Sequence, residues 1–268
     1  MMRIAYRHTL WVRLSHWVNA GVLLIMLMSG LQIFNAHPAL YWGKTSHFET
    51  PIFSLTAILA PDGTMRGITQ IGAVRFDTTG LFGASQTFGQ IGPRGFPAWA
   101  TLPSWRSLAS GRQWHFFFAW LFVANGLLFI AYAVISRHFQ RDLLPRQSDL
   151  RHLGKDIADH LRLRFAKGAA ALHYNVLQKL SYFTVIFLLG PLIVLTGLTM
   201  SPTLNAAFPI LLTIFGGRQT ARTIHFLCAF GFVLFFIVHI VMTILSGPLK
   251  NLRAIITGRM AIKEADNG

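Results

Sequence analysis

The chain has 268 residues, 53% of them hydrophobic and only 12% charged. A soluble domain carries about twice that share of charge, roughly 25%, so a soluble globular fold is excluded. The formal net charge of +15 would suit a nucleic-acid binder, but the placement of the basic residues argues for a membrane instead.

The first apolar run is Trp17–Phe34, preceded by the mixed stretch RHTLWVRLSHW. It is longer than the core of a signal peptide and has no clear small-residue cleavage site after it, so it is expected to stay as a span. The next segment is rich in Gly, Thr, Ser and Pro, and its GQIGPRGFPAWATLPSW reads as irregular chain. Its one apolar piece, IFSLTAILA, is too brief to cross a bilayer. Three further runs, Trp114–Ile135, Leu180–Met200 and Thr223–Leu245, contain no Asp, Glu, Lys or Arg. Each is about 20 residues long, enough to cross hydrocarbon roughly 30 Å thick. Between the second and third, LRHLGKDIADHLRLRF alternates basic and apolar positions like an amphipathic surface helix. Between the third and fourth, AAFPILLTIF contains Pro209 and is too short to span, which predicts an interfacial or re-entrant piece.

With the N-terminus inside, sixteen of the 24 basic residues lie inside: Arg3, Arg7 and Arg13, nine from Arg137 to Lys179, then Lys250, Arg253, Arg259 and Lys263. The positive-inside rule selects that orientation, and the basic excess then reflects topology and contact with anionic lipid rather than nucleic acid. The expected fold is an all-α integral membrane protein, a four-helix transmembrane bundle with both termini cytoplasmic. Its spans cover about 11–35, 113–136, 177–200 and 222–246, with a long periplasmic segment 36–112 and a cytoplasmic loop 137–176, all in one membrane domain, 1–268. No whole-chain repeat is evident.

Ionisable residues inside a membrane are costly and usually functional. Sorting the eleven histidines by depth pairs His115 with His225 near the outer face and His16 with His239 near the inner. His225 and His239 lie fourteen residues apart, about 21 Å of helix and close to four turns, so they share one face of span four. Two imidazoles on facing helices can clamp one iron, as cofactor sites in helix bundles do. Two haems along span four would give an electron path across the membrane. Zinc fits less well, because it wants three or four ligands together. Cys228 is the only cysteine, so no disulfide framework and no CxxCH haem attachment is available. Gly21, Gly126, Gly190, Gly197 and Gly231 inside the spans leave room for a flat disc. Arg13, Arg112 and Arg222 each precede a histidine by three residues. That is about one turn towards the surface, where a guanidinium can meet a haem propionate or lipid phosphate. The other histidines, including His8, His37, His152 and His173, fall outside the spans and read as surface residues.

RLSHW opening span one, GRQWHFFFAWLF opening span two and RTIHFLCAFGFVLFFIVHI in span four resemble the bacterial cytochrome b561 family, which includes the di-haem cytochrome b subunits of hydrogenases and formate dehydrogenases. The resemblance covers the four spans, about half the chain, and implies b haems ligated by His16 with His239 and by His115 with His225. NAHPALYWGK and FPAWATLPSWRSLASGR in the long segment look like the subgroup that accompanies periplasmic molybdopterin oxidoreductases. That subgroup implies either a docking surface for such a partner or a longer loop packed over the outer haem. The expected function is transfer of electrons between the quinone pool of a bacterial inner membrane and a periplasmic partner, through two haem b groups. No residue is assigned to the quinone, although Asn19 and Asn125 lie in suitable places. A self-sufficient superoxide:quinone oxidoreductase is the alternative reading, with Arg112, Arg218 and Arg222 drawing in the anion. A haem-free transporter ranks third, since no inverted repeat of broken helices supports it.

Overall fold

The computed structural model describes residues 2–151, 153–165, 168 and 172–263; His152 lies outside them. Four helices are long and apolar enough to cross a membrane: α1 (Leu10–Phe34), α2 (Leu108–Ile135), α3 (Val176–Met200) and α4 (Arg218–Leu245). In hydrocarbon every backbone N–H and C=O must find its partner within the chain, and helices do this along continuous apolar runs. Large apolar side chains such as Leu127, Leu128, Leu234 and Phe236 remain exposed, as expected of surfaces wetted by lipid rather than water.

Polar residues set the ends of these helices. Thr9 caps α1, its hydroxyl accepting from Val12 N–H at 3.4 Å. Asn175 and Gln178 form a reciprocal capping box at the start of α3. The first turn of α4 directs its Gln219 and Thr220 N–H groups at the Gly43 carbonyl, at 3.1 and 3.2 Å. Within α3, Thr184–Leu189 form a π turn just before Pro191. Proline has no N–H to give to the preceding turn, so the helix widens there rather than breaking.

The chain divides into two compact units. One comprises Ala20–Val123 and Leu192–Ala229. Here the structure departs from the all-α expectation, because the segment between α1 and α2 is not irregular. Strands β2 (Ala39–Leu40), β3 (Phe53–Leu59), β4 (Met65–Ile71) and β5 (Val74–Asp77) form an antiparallel sheet in sequence order, and β6 (Ala84–Thr87) pairs with β7 (Gln90–Pro93) in a hairpin. IFSLTAILA, too brief to cross a bilayer, is strand over Phe53–Leu59. Its β-branched and aromatic residues suit a pleated surface, and partners on both sides supply the ladder bonds that isolated composition cannot reveal. Phe34 at the end of α1 packs with Leu40, Leu55 and Phe96 from this segment, and Phe226 of α4 joins them. Arg94, only 3% exposed, ties the segment to α1, donating to the Ser104 carbonyl, Gln32 Oε1 and Thr101 Oγ1 at 2.6, 2.9 and 2.6 Å.

The second unit comprises the residues up to Asn19, Ala124–Pro191 and those from Phe230 onward. An amphipathic helix covers Leu153–Leu161, and another, Pro248–Thr257, follows α4. Strand β1 (Met2–Tyr6) pairs antiparallel with β8 (Arg259–Lys263).

Candidate functional site

Each unit contains one of the histidine pairs. In the first, His115 of α2 faces His225 of α4 with ring centres 6.1 Å apart and planes at 62°. Both rings are gripped from behind in the same way. His115 Nδ1 lies 3.1 Å from the Met26 carbonyl and 3.2 Å from Ser29 Oγ. His225 Nδ1 lies 2.9 Å from the Ile193 carbonyl and 3.2 Å from Thr196 Oγ1. Each hydroxyl donates its single proton to its own helix, Ser29 to Ile25 O and Thr196 to Leu192 O, both at 2.7 Å. Carbonyl and hydroxyl therefore both act as acceptors towards the ring, so Nδ1 carries the proton and Nε2 is left bare for a metal.

Glycines follow both hydroxyl residues. A side chain on Gly30 would begin 3.3 Å from His115 Cε1, and one on Gly197 would begin 3.3 Å from His225 Cε1. The space these glycines leave belongs to the imidazoles, not only to a porphyrin. Gly21 and Gly126, expected to serve the same purpose, have no heavy atom within 4 Å of where a Cβ would stand, and Gly231 faces Leu189.

In the second unit, His16 of α1 faces His239 of α4 with ring centres 6.2 Å apart and planes at 54°. Phe235 stacks on His239 at 5.8 Å, and Trp17 meets His16 edge-on at 5.2 Å. His16 Nδ1 is buried with no hydrogen-bond partner.

These separations test whether the residues suit an iron. A metal–imidazole bond is about 2 Å and the ring centre lies about 1 Å behind its nitrogen, so two rings on one metal stand roughly 6 Å apart. Both pairs meet that spacing. Among the described residues no group of three or more His, Cys, Asp or Glu is placed to hold a metal ion, which leaves the paired imidazoles as the candidate ligands.

The arginines are held less uniformly. Arg13 gives Nη2 to the Ile256 carbonyl, and its Nε is buried without a partner. Arg222 gives Nη2 to the His37 carbonyl and lies over the Phe34 ring. Arg112 is exposed and lies over Phe116. Asn125 donates to the Ser15 carbonyl and hydroxyl, both at 3.2 Å, so it braces a helix pair. Sequence reasoning missed Ser29, Gly30 and Thr196. The recurrence of a hydroxyl–glycine dipeptide in two apolar spans was the available signal.

The sequence profile of the family described as prokaryotic cytochrome b561 matches residues 7–258, and the chain belongs to that family. A curated relative from Azospira oryzae, described as a putative protein-methionine-sulfoxide reductase subunit YedZ1, is 27% identical over 239 residues, 89% of this chain and 90% of the relative. No solved structure matches significantly. The chain is thus a haem-binding, multi-pass membrane protein of electron transfer in a bacterial membrane.

Proposed function

From that membership we propose that the chain is a di-haem b cytochrome, with one haem between His115 and His225 and the other between His16 and His239. It passes electrons between membrane quinone and a redox partner on the periplasmic side, with both termini cytoplasmic. The observation that carries this reading is the near-equal spacing of the two pairs, 6.1 and 6.2 Å.

Bound haem b supplies a one-electron iron couple. The remaining work falls to the chain. The carbonyls of Met26 and Ile193 fix the rotation of the outer imidazoles and increase their electron donation, as second-shell acceptors do for metal-bound histidine. Buried, preoriented ligands change little between oxidation states, which keeps reorganisation small. Arg13 and Arg112, one turn before His16 and His115, are assigned to propionates, whereas Arg222 is held by the His37 carbonyl. The relative's description as a reductase subunit supports a partner oxidoreductase, for which we propose the molybdopterin type, docked on the strand-bearing segment between α1 and α2. Solitary oxidation of superoxide draws less support, since Arg222 is already engaged by His37 and Phe34.

Purified protein should contain two b haems per chain with the spectrum of bis-histidine ligation. His115→Ala should remove one and His239→Ala the other. A colourless preparation, or loss of both haems from either substitution in a folded protein, would refute the assignment. Shortening the β4–β5 hairpin should keep both haems while uncoupling the partner.

A further inference from the structure

The second unit holds two half-buried guanidiniums that meet no carboxylate among the described residues. Arg7 Nη1 and Arg13 Nε are both buried without a hydrogen-bond partner. Arg7 gives its Nε to His8 Nε2 at 3.3 Å and lies over the Tyr174 ring at 5.6 Å. Among the described residues the Arg13 side chain hydrogen-bonds to one backbone carbonyl, that of Ile256. Asp142, whose charge is felt at Tyr174, is engaged by His138 at 2.7 Å. A charge out of water is costly unless an opposite charge or strong acceptors meet it, so the arrangement calls for an anion.

Position says which anion. Both arginines reach the turn that leads into β8, Arg7 through its backbone and Arg13 through its side chain. The Gly258 carbonyl takes the N–H groups of Arg7 and His8 at 2.8 and 3.3 Å, and a side chain on Gly258 would begin 3.3 Å from Arg13 Nη1. Arg13 stands one turn from His16. Arg7 is joined to the same end of the pair through His8, which accepts from Arg7 Nε and lies within electrostatic reach of both His16 and Arg13. Both guanidiniums thus stand on the His16 side of the pair.

The geometry points to Arg7 and Arg13 as a two-armed clamp for the two propionate carboxylates of the inner haem, held in place by the β1–β8 pairing. This rests on the di-haem reading and adds Arg7, which precedes α1 and lies outside the one-turn pattern. Each arm forms a charge-assisted pair with one carboxylate. A cation beside a propionate favours the reduced haem, so its loss lowers the potential.

The test is a redox titration of the full chain in lipid nanodiscs, with the inner component identified by its absence from His239→Ala. Arg7→Gln should shift the inner couple downward by about tenfold in its oxidised-to-reduced ratio, 59 mV for one electron. Arg7→Met should do the same, and Arg7→Lys should recover most of the shift. The outer couple should not move. Two haems with both couples unchanged in Arg7→Gln and Arg7→Met would overturn the clamp and leave the di-haem reading intact. Absence of any haem at His16–His239 in the wild type would overturn both. Lipid phosphate is the competing anion: an inner potential that depends on anionic lipid in the wild type, and no longer does in Arg7→Gln, would also overturn the clamp.

Discussion

Gly197→Val offers the sharpest test of how the outer site is built. A β-carbon at this position starts 3.3 Å from His225 Cε1 and 3.6 Å from Nδ1, whereas carbon atoms rest at about 3.5–4.0 Å. Alanine needs the ring to yield by a few tenths of an ångström. Valine adds two methyl groups whose rotamer is nearly fixed in a helix, and the ring is already pinned by the Ile193 carbonyl at 2.9 Å. Overpacking of this kind costs about 1–3 kcal/mol, which corresponds to roughly 5–150-fold weaker retention of whatever the ring holds. Purified Gly197→Val should therefore show close to half the wild-type haem-to-protein ratio by pyridine haemochromogen assay, with the inner haem retained. Gly197→Ala should lie between. Full haem and an unchanged spectrum in Gly197→Val would refute the reasoning.

Thr223→Val removes the hydroxyl that donates to the buried Tyr41 carbonyl at 2.7 Å; an unsatisfied buried carbonyl costs about 1–3 kcal/mol, so the melting temperature should fall with haem content unchanged. Arg94→Met deprives Gln32, Thr101 and Ser104 of a charged donor, and each such bond is worth about 1.5–3 kcal/mol. The strand-bearing segment should then become protease-sensitive before the helices do. Burial, assisted by Arg7 and other cations, holds the His8 pKa down at about 4. The unfolded chain therefore takes up this proton first, and stability is full above about pH 6.5 and falls as the pH drops through about 4. His8→Gln should flatten that part of the melting profile, and an unchanged slope would show that His8 does not titrate as described.

The helices were legible because hydrocarbon enforces long apolar runs, and the four histidines because imidazole is so rarely placed in one. The strands between α1 and α2 were not. In β4, Gly67 and Thr69 are buried with half-buried Ile68 between them, but the Gly- and Thr-rich context hides the alternation, and the pairing that creates the sheet is not a local property. The backs of the outer rings were hidden for a different reason. Met26 and Ile193 act through their carbonyls, which every residue has, so only Ser29 and Thr196 beside their glycines gave any outward sign. Arg222 shows the limit of spacing arguments: it stands one turn before His225 as expected, yet its guanidinium is turned to the His37 carbonyl.

The proton on His115 Nδ1, like that on His225, has two acceptors and no donor opposite it. An imidazole fixed in this way has no vacancy through which to hand hydrogen onward, so under the proposed di-haem function charge passes the His115–His225 pair as bare electrons. Any two-electron carrier served by this chain must collect or shed its hydrogens through other groups, and a kinetic solvent isotope effect should be absent from the outer half of the route.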